Sequence, residues 1–422
     1  MRRAAVLWIV LFAAFAATAG LRTVPGGDLS APEAHTLLVT ESLVSDGDLD
    51  LRDEYGARAW RRFYAGDLVP RAGPRDTGLL EPAGLAFPLL LAPSYAVGGR
   101  IGVELFLAAL AAVGFVLAAA IGRRLVPEPW ATRAAVATAL SPPALVAATT
   151  ISPDAVAGTA IAGACLLALG LRERPRAPQA FWCALLVAAL PWLAPRFAAP
   201  AAVIALATAR WLRRRRRGVA GLVALEVVLF SAVLYITVND RLYGGLTPDA
   251  VLGPPGATGA TGLLDHLARW PRALGLWLDE DVGLVRWAPF AVMSLAAAAL
   301  LVRSRRGRLA VAVTGQIDVE VAAGFLVAVC GATVLVATFL APTIAGPWFA
   351  GRELACVLPV GAALAAWGLR RLPRAGRALA VLTLVAGLWL LVALRVHGDA
   401  ALAPPRGPLP WLGAEQVLPR LR

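Results

Sequence analysis

The sequence predicts an all-α fold, a polytopic transmembrane helical bundle of about eleven spans. Three observations predict it: the overall composition, the recurrence of apolar runs, and the turns at which arginine accumulates. Of the 422 residues, 59% are hydrophobic and only 16% are charged, whereas soluble domains average about 25% charged residues. Too few polar residues remain to cover a soluble globule of this length, so the composition favours a membrane protein.

Apolar runs of membrane-crossing length recur along the chain. At ~1.5 Å per residue, the first run, 4–21, reaches about 27 Å, close to the ~30 Å hydrocarbon core of a bilayer. The other predicted spans are 101–121, 131–149, 155–171, 181–193, 197–212, 219–238, 287–302, 321–341, 354–369 and 378–394. Because small residues stand at Ala17 and Ala19 after a basic start, a cleavable signal peptide is the alternative for the first run.

The predicted organisation is one transmembrane bundle over residues 1–394, followed by a short outer tail at 395–422. Two long segments interrupt the bundle, a first outer loop at 22–100 and a second outer loop at 239–286. Within the first, residues 83–99 are apolar but contain Pro88 and Pro93. We interpret them as a re-entrant or interfacial segment, with a twelfth span as the alternative.

The distribution of arginine predicts the orientation of the bundle. With the N-terminus in the cytoplasm, the predicted cytoplasmic turns carry the arginines of 123–124, 172–174, 213–217, 303–308 and 370–377. Cytoplasmic loops of membrane proteins accumulate such residues. The net charge of +13 is therefore attributed to topology, and no nucleic-acid partner is expected. Every basic residue is arginine and none is lysine, which favours a GC-rich bacterial genome and a bacterial plasma membrane.

Two short helices are predicted within the first outer loop. Ser30 followed by Glu33 forms a capping-box pattern, and Gly47 is placed to end that helix. A second helix, about 52–65, combines Tyr55 and Trp60 with several arginines, a composition that suits the headgroup layer of a membrane. The loop is therefore expected to lie on the membrane surface.

Several familiar sites are excluded by spacing. The four cysteines lie in apolar stretches without C-x-x-C spacing, so they are interpreted as packing residues and not as a disulfide or zinc framework. Asp46, Asp48 and Asp50 resemble the start of a calcium loop, but Leu51 and Ala57 occupy the positions where an EF-hand requires Gly and Glu. Walker A, G-x-S-x-G and H-E-x-x-H motifs are missing from the sequence, which argues against a nucleotide-driven motor or a hydrolase.

Four stretches together resemble the GT-C class of integral-membrane glycosyltransferases, and most nearly the bacterial members that are distantly similar to protein mannosyltransferases. They are GGDLSAPEAHTLLVTESLVSDGDLDLRDEY (26–55), LPWLAPRF (190–197), GLWLDEDVGLVRWAP (275–289) and GPWFAGRELACVLP (346–359). Each motif is weakly specific alone. Their order, together with the order of the spans, extends the resemblance over most of the chain.

The resemblance implies a transferase that takes a sugar from a polyprenyl-phosphate donor at the outer face, for a glycan or protein acceptor. In that class an acid after the first span is the general base, arginines bind the lipid phosphate, and some members use a divalent metal. The candidate catalytic residues are therefore Glu33 and Asp28. The candidate substrate-binding residues are His35, Asp154, Arg196, Asp279 and Arg352. No cofactor is assigned, and a divalent metal is left open.

Each candidate also has a structural interpretation. For Glu33 the alternative is a helix cap only, for Asp28 an ordinary loop acid, and for His35 a lone surface histidine. Asp154 would favour a helix N-terminus electrostatically. Arg196 and Arg352 suit bidentate phosphate contact, and the alternative is contact with lipid headgroups; for Asp279 the alternative is a solvated charge.

Three positions depart from the pattern of the resembled class. Pro32 stands where the class usually has the first acid of a pair, Thr36 replaces an aromatic residue, and Ala194 replaces a histidine. A catalytically degenerate protein that binds or presents a lipid-linked glycan is therefore one alternative. A membrane transporter is another, although transporters concentrate charged residues within broken helices and the acids here concentrate in outer loops.

Overall fold

The computed structural model describes residues 2–24, 27–73, 78–214, 218–252, 262–306, 314–344, 346 and 348–396. The α-helices, numbered in chain order, are α1 (Arg2–Ala16), α2 (Ala31–Ser45), α3 (Arg52–Ala57), α4 (Ala86–Leu125), α5 (Trp130–Ala139), α6 (Pro142–Ala147), α7 (Asp154–Glu173), α8 (Ala177–Leu193), α9 (Ala198–Arg214), α10 (Gly218–Tyr243), α11 (Leu263–Leu267), α12 (Arg272–Leu278), α13 (Leu284–Trp287), α14 (Val292–Arg306), α15 (Thr314–Leu335), α16 (Leu358–Arg371) and α17 (Pro373–Val396). The predicted outer tail lies outside the described residues from position 397 onward, as do arginines 215–217 and 308 of the predicted cytoplasmic turns.

Short non-α turns connect several of these helices. They are the 3-10 turns Ala59–Arg62, Pro195–Phe197, Pro248–Leu252, Pro289–Ala291 and Arg352–Val357, and the π-helical turn Val336–Leu340. Over the described ranges the structure contains no β-strand, only one isolated antiparallel bridge between Val24 and Gly27. The all-α prediction is confirmed.

Six helical stretches in the described part of the chain are long and apolar enough to cross a membrane. They are Ala86–Leu125, Asp154–Glu173, Gly218–Leu252, Asp318–Leu340, Arg352–Arg371 and Pro373–Val396, with two shorter apolar helices at Ala177–Leu193 and Pro289–Arg303. Lengths and composition of this kind confirm a multi-pass membrane protein.

One predicted span, 131–149, is interrupted in the structure. The structure divides it into α5 and α6, and Ser141 between them has an extended backbone (φ −71°, ψ 147°). The physical reason is Pro142, because a proline disfavours the α conformation in the residue before it. Proline then occupies the first positions of α6, where its missing N–H costs no helical hydrogen bond.

Residues 86–99, for which a re-entrant segment and a further span were both considered, form the first part of α4. This helix continues for 40 residues to Leu125 with a kink at Gly99, whose φ of +53° lies in the left-handed region. Glycine adopts such a φ without steric cost. A helix therefore begins at Ala86, inside the segment that was predicted as the first outer loop.

The first loop is a packed unit with its own apolar cluster. The first predicted helix is confirmed as α2, with the capping box of Ser30 and Glu33 in place. The second is shorter than predicted, because Arg58 adopts a left-handed φ of 54° that ends α3 before the turn Ala59–Arg62. Leu38 and Trp60 pack together in the cluster, and α2 packs against α4. The loop thus rests on the bundle through a buried core of its own.

Small residues allow the central helices to approach closely. A Cβ built on Gly158 of α7 would lie 3.1 Å from the carbonyl oxygen of Cys356, and one on Gly114 of α4 would lie 2.7 Å from the Thr159 hydroxyl. Close packing at small residues is how membrane helices associate where lipid offers no hydrophobic driving force. These contacts bring the start of α7 next to the segment that precedes α16, and the cavity described below lies at that end.

Candidate active site

A cavity of about 740 Å³ opens at one end of the bundle. Its wall includes residues of the first loop, residues 151–153 before α7, the turn between α8 and α9, and the segment before α16. The charged residues that line it are Arg71, Arg196, Asp249, Arg352 and Glu353. A mostly apolar cavity of this volume with a few convergent charges is typical of a small-molecule site.

Arg196 and Arg352 meet on Asp154 beside this cavity. Arg196 Nη2 donates to both carboxylate oxygens of Asp154 at 2.9 Å, and Arg352 Nε lies 3.7 Å from Asp154 Oδ2. Glu353 Oε2 is 3.7 Å from Arg196 Nη1. Asp154 itself is almost completely buried. A buried carboxylate that accepts two guanidinium bonds holds the arginine in one orientation.

Helix breaks present these two arginines to the cavity. After α8, Ala194 has an extended backbone (φ −167°, ψ 144°), so the chain turns and Arg196 follows in the short turn Pro195–Phe197. Before Arg352, Gly351 has a φ of +78°, a conformation that favours glycine. The Gly351 amide donates to the Val282 carbonyl at 3.0 Å. Each arginine is thus placed by a sharp change in chain direction.

Two buried donors in this wall have no hydrogen-bond partner among the residues that the structure describes. They are Arg196 Nε and the indole Nε1 of Trp348, and both residues line the cavity. The Arg352 guanidinium lies 4.2 Å from the Trp348 ring centroid, a cation–π distance. Buried donors are nearly always satisfied in native structures, so the wall is suited to a ligand that brings acceptor oxygens.

The Glu33 carboxylate is occupied by the fold. Its Oε2 accepts hydrogen bonds from the Ser30 amide at 2.9 Å and the Ser30 hydroxyl at 2.7 Å. Its Oε1 accepts one from the Ile151 amide at 2.9 Å. Pro32 and Thr36 from the same helix, and Ile151, line the cavity. Glu33 therefore joins α2 to the 151–153 segment just behind the cavity wall.

Asp28 and Asp279 do not line the cavity. The Asp28 carboxylate is exposed, 3.8 Å from Arg22 Nε and 3.9 Å from Arg100 Nη1. Asp279 is buried, and its Oδ1 accepts the backbone amides of Asp281 at 2.9 Å and Val282 at 3.1 Å. Asp279 thus shapes the turn whose Val282 carbonyl holds the Gly351 amide.

His35 is buried, and a surface position for it is wrong. Its Nδ1 lies 2.9 Å from the Tyr55 hydroxyl, which donates to Glu81 Oε1 at 2.7 Å. Arg71 Nε donates to the other oxygen, Glu81 Oε2, at 2.8 Å. A chain of hydrogen bonds therefore runs from His35 to Arg71 at the cavity wall. The sequence carried no signal for it, because its members are spread over 47 positions without a common periodicity.

Glu81 sets the charge state of this network of hydrogen bonds. Burial raises the pKa of the Glu81 carboxyl, but the hydrogen bond and charge of His35, with Arg71 and Tyr55, outweigh burial and hold the pKa at about 2. Burial and the neighbouring Glu81 raise the pKa of the Tyr55 hydroxyl. At neutral pH Glu81 is an anion and Tyr55 a neutral donor.

Two departures from the resembled class, Thr36 and Ala194, both line the cavity. In the described part of the chain, no group of three or more His, Cys, Asp or Glu side chains is placed to hold a metal ion.

The fold defines the class: a multi-pass helical membrane protein with a distantly GT-C-like fold. Among solved structures, the chain is similar to ArnT from Cupriavidus metallidurans in its apo state, with 15% identity, a TM-score of 0.52, and coverage of 93% of this chain and 72% of that one. It is also similar to the same protein bound to undecaprenyl phosphate, with 14% identity, a TM-score of 0.51, and coverage of 93% and 71%. No family model and no curated protein sequence matches.

Proposed function

We propose that this protein is a membrane glycosyltransferase that moves a sugar from a polyprenyl-phosphate donor to a glycan or protein acceptor outside the cytoplasm. The observation that carries the proposal is the cavity wall in which Arg196 and Arg352 converge on Asp154 while two buried donors lack acceptors. Phosphate oxygens are acceptors that suit such donors. A solved structure of similar fold is described as bound to undecaprenyl phosphate, which supports a lipid-linked donor.

In this proposal the arginines act on the leaving group. As the bond between the anomeric carbon and the phosphate oxygen breaks, negative charge grows on the polyprenyl phosphate. Arg196 and Arg352 stabilise that charge from fixed positions, and Asp154 keeps Arg196 in place. Preorganised cations of this kind lower the barrier more than mobile solvent does.

In this proposal the remaining candidate residues hold the segments that form the cavity wall in place. Glu33 holds the 151–153 segment, and His35 supports Arg71 through Tyr55 and Glu81. Asp279 shapes the turn that holds Gly351. Glu33 and Asp28 were the predicted bases, and either would first have to leave the contacts described above.

The alternative is a protein that binds or presents a lipid-linked glycan without turnover. The engagement of Glu33 by Ser30 and Ile151 favours it, because the acid that the class uses as a base makes structural contacts here. The two functions share a lipid-phosphate site and differ only in transfer.

The test uses purified protein in liposomes with undecaprenyl phosphate carrying a radiolabelled hexose or pentose, and envelope extract as acceptor. We expect label transfer and release of undecaprenyl phosphate. Arg196→Ala should lower turnover about 10²-fold or more, the scale of losing one charge-stabilising donor. Arg210→Ala, exposed at the far end of α9, is the matched control and should have no effect.

Two other outcomes would each contradict a different part of the proposal. Undecaprenyl phosphate binding that Arg196→Ala weakens, without transfer of any label, favours the presenting function. If Arg196→Ala and Arg210→Ala bind the lipid as the wild type does, the phosphate site is wrong.

A further inference from the structure

One carboxylate of the cavity stands apart from the arginine cluster. Asp154 and Glu353 both lie within 4 Å of Arg196. Asp249 lines the same cavity, yet no described residue donates a hydrogen bond to it or forms an ion pair with it; Arg71 acts on it only through longer-range charge. Glu353, the other acid that lines the cavity, is engaged by Arg196 at 3.7 Å, whereas Asp249 is exposed. Asp249 is therefore the cavity acid that an acceptor hydroxyl can reach without displacing an arginine.

Asp249 lies in a turn that packs against the first loop. It belongs to the turn Pro248–Leu252, which follows α10. Val251 of the turn is buried against Leu80 of the first loop, and the Tyr243 hydroxyl at the end of α10 donates to the Ala83 carbonyl at 2.9 Å. Pro248 and Val251 are buried whereas Asp249 is exposed. The turn therefore packs against the first loop, and its acid lines the cavity.

We propose that Asp249 is the general base of the transfer, an inference that rests on the proposed function. The Asp249 carboxylate takes the proton of the acceptor hydroxyl, and the oxygen lone pair attacks the anomeric carbon of the donor. The bond from that carbon to the phosphate oxygen breaks with its electron pair. Polyprenyl phosphate leaves towards Arg196 and Arg352 with the added negative charge. Asp249 then returns the proton to water, and the configuration at the anomeric carbon is inverted.

This assignment is compatible with a purely structural role for the first-loop acid, Glu33. Glu33 is enclosed by Ser30 and Ile151, while Asp249 comes from a different loop, more than two hundred positions later in the chain. Since a general base needs only to reach the acceptor proton, its place in the sequence is free to differ so long as it lines the same cavity.

The experiment compares Asp249→Asn with Asp240→Asn in the liposome assay. Asp240 is an exposed acid near the end of α10 and serves as the matched control. For Asp249→Asn we expect kcat to fall about 10²- to 10⁴-fold, the scale of general-base catalysis, with the KM for the donor within about twofold of wild type. Asp249→Glu keeps a carboxylate and should retain part of the turnover. Asp240→Asn should behave as wild type.

Binding of undecaprenyl phosphate supplies the folding control, and Asp249→Ser is the second variant if the asparagine variant does not fold. Wild-type turnover in any folded variant without a carboxylate at 249 would overturn the assignment and leave the proposed function intact. Absence of turnover by the wild-type protein would instead remove the proposed function itself.

Discussion

At the residue scale, the chemistry of the cavity depends on which charges are paired. Arg196 is held by Asp154 in two hydrogen bonds, while Arg71 is held by Glu81. Both arginines therefore reach the cavity with their orientation already determined. Preorganisation of this kind saves the ordering of a long side chain when a ligand binds.

The pairing of Glu81 predicts a pH dependence of stability. The pKa of the Glu81 carboxyl is lowered from 4.5 to about 2. Its contribution to the free energy of unfolding is therefore fully present above pH 4.5 and is lost as the pH falls from there to about 2. The loss is on the order of 3 kcal/mol for a shift of this size. We expect the melting temperature of wild type to fall more steeply between pH 5 and pH 3 than that of Glu81→Gln. If the melting temperatures of the two proteins fell by the same amount between pH 5 and pH 3, the pairing of Glu81 would be contradicted.

At the element scale, the site is made by the ends of helices. Arg196 follows the end of α8, Asp154 begins α7, and Arg352 begins the turn before α16. A carboxylate in the first turn of a helix is favoured by the helix dipole. Asp154 is therefore stabilised at this position even without the arginines. Prolines and a left-handed glycine then turn the chain so that the three ends meet.

The junction of α2 with the 151–153 segment predicts the effect of Glu33→Gln. Loss of the carboxylate weakens the capping box and the hydrogen bond from Ile151, so we expect the protein to lose about 1–2 kcal/mol of stability. Turnover should fall with the fraction of folded protein and no further. Ser30→Ala, which removes one cap partner and leaves Ile151, is the matched control and should lower the melting temperature less. A folded Glu33→Gln protein with wild-type stability and turnover reduced 10²-fold would restore Glu33 as the base.

At the scale of the whole molecule, the proposed function requires the cavity to open on the outer side of the membrane. The arginine pattern predicts that side, because positive residues stay in the cytoplasm. The native cysteines offer little background for labelling, since Cys165, Cys183 and Cys356 are buried and Cys330 is half-buried.

This orientation predicts which introduced cysteines a membrane-impermeant maleimide reaches on intact cells. Asp46→Cys, at an exposed position of the first loop, should be labelled directly. Arg174→Cys, exposed between α7 and α8, should be labelled only after the membrane is permeabilised. The reverse pattern would invert the topology and place the cavity on the cytoplasmic side.

Part of the candidate site was predictable from the sequence and part was not. Arg196 and Arg352 were predicted and line the cavity, and Asp154 was predicted and binds both. Glu33 and His35 were predicted; Glu33 lies one contact behind the wall, and His35 is connected to it through Tyr55, Glu81 and Arg71. Asp249 and the Glu81 cluster were not predicted, because no local pattern distinguishes them from other loop acids.

The sequence by itself determined that this is an all-α, multi-pass membrane protein, and it determined the first loop helix together with its cap. These features depend on composition, run length and residues a few positions apart, which are local in the chain. Only the tertiary structure decided that residues 71, 196, 249 and 352 share one cavity and that Glu33 is engaged elsewhere. Such convergence depends on how helices pack and where their ends turn, and that packing joins positions far apart in the sequence.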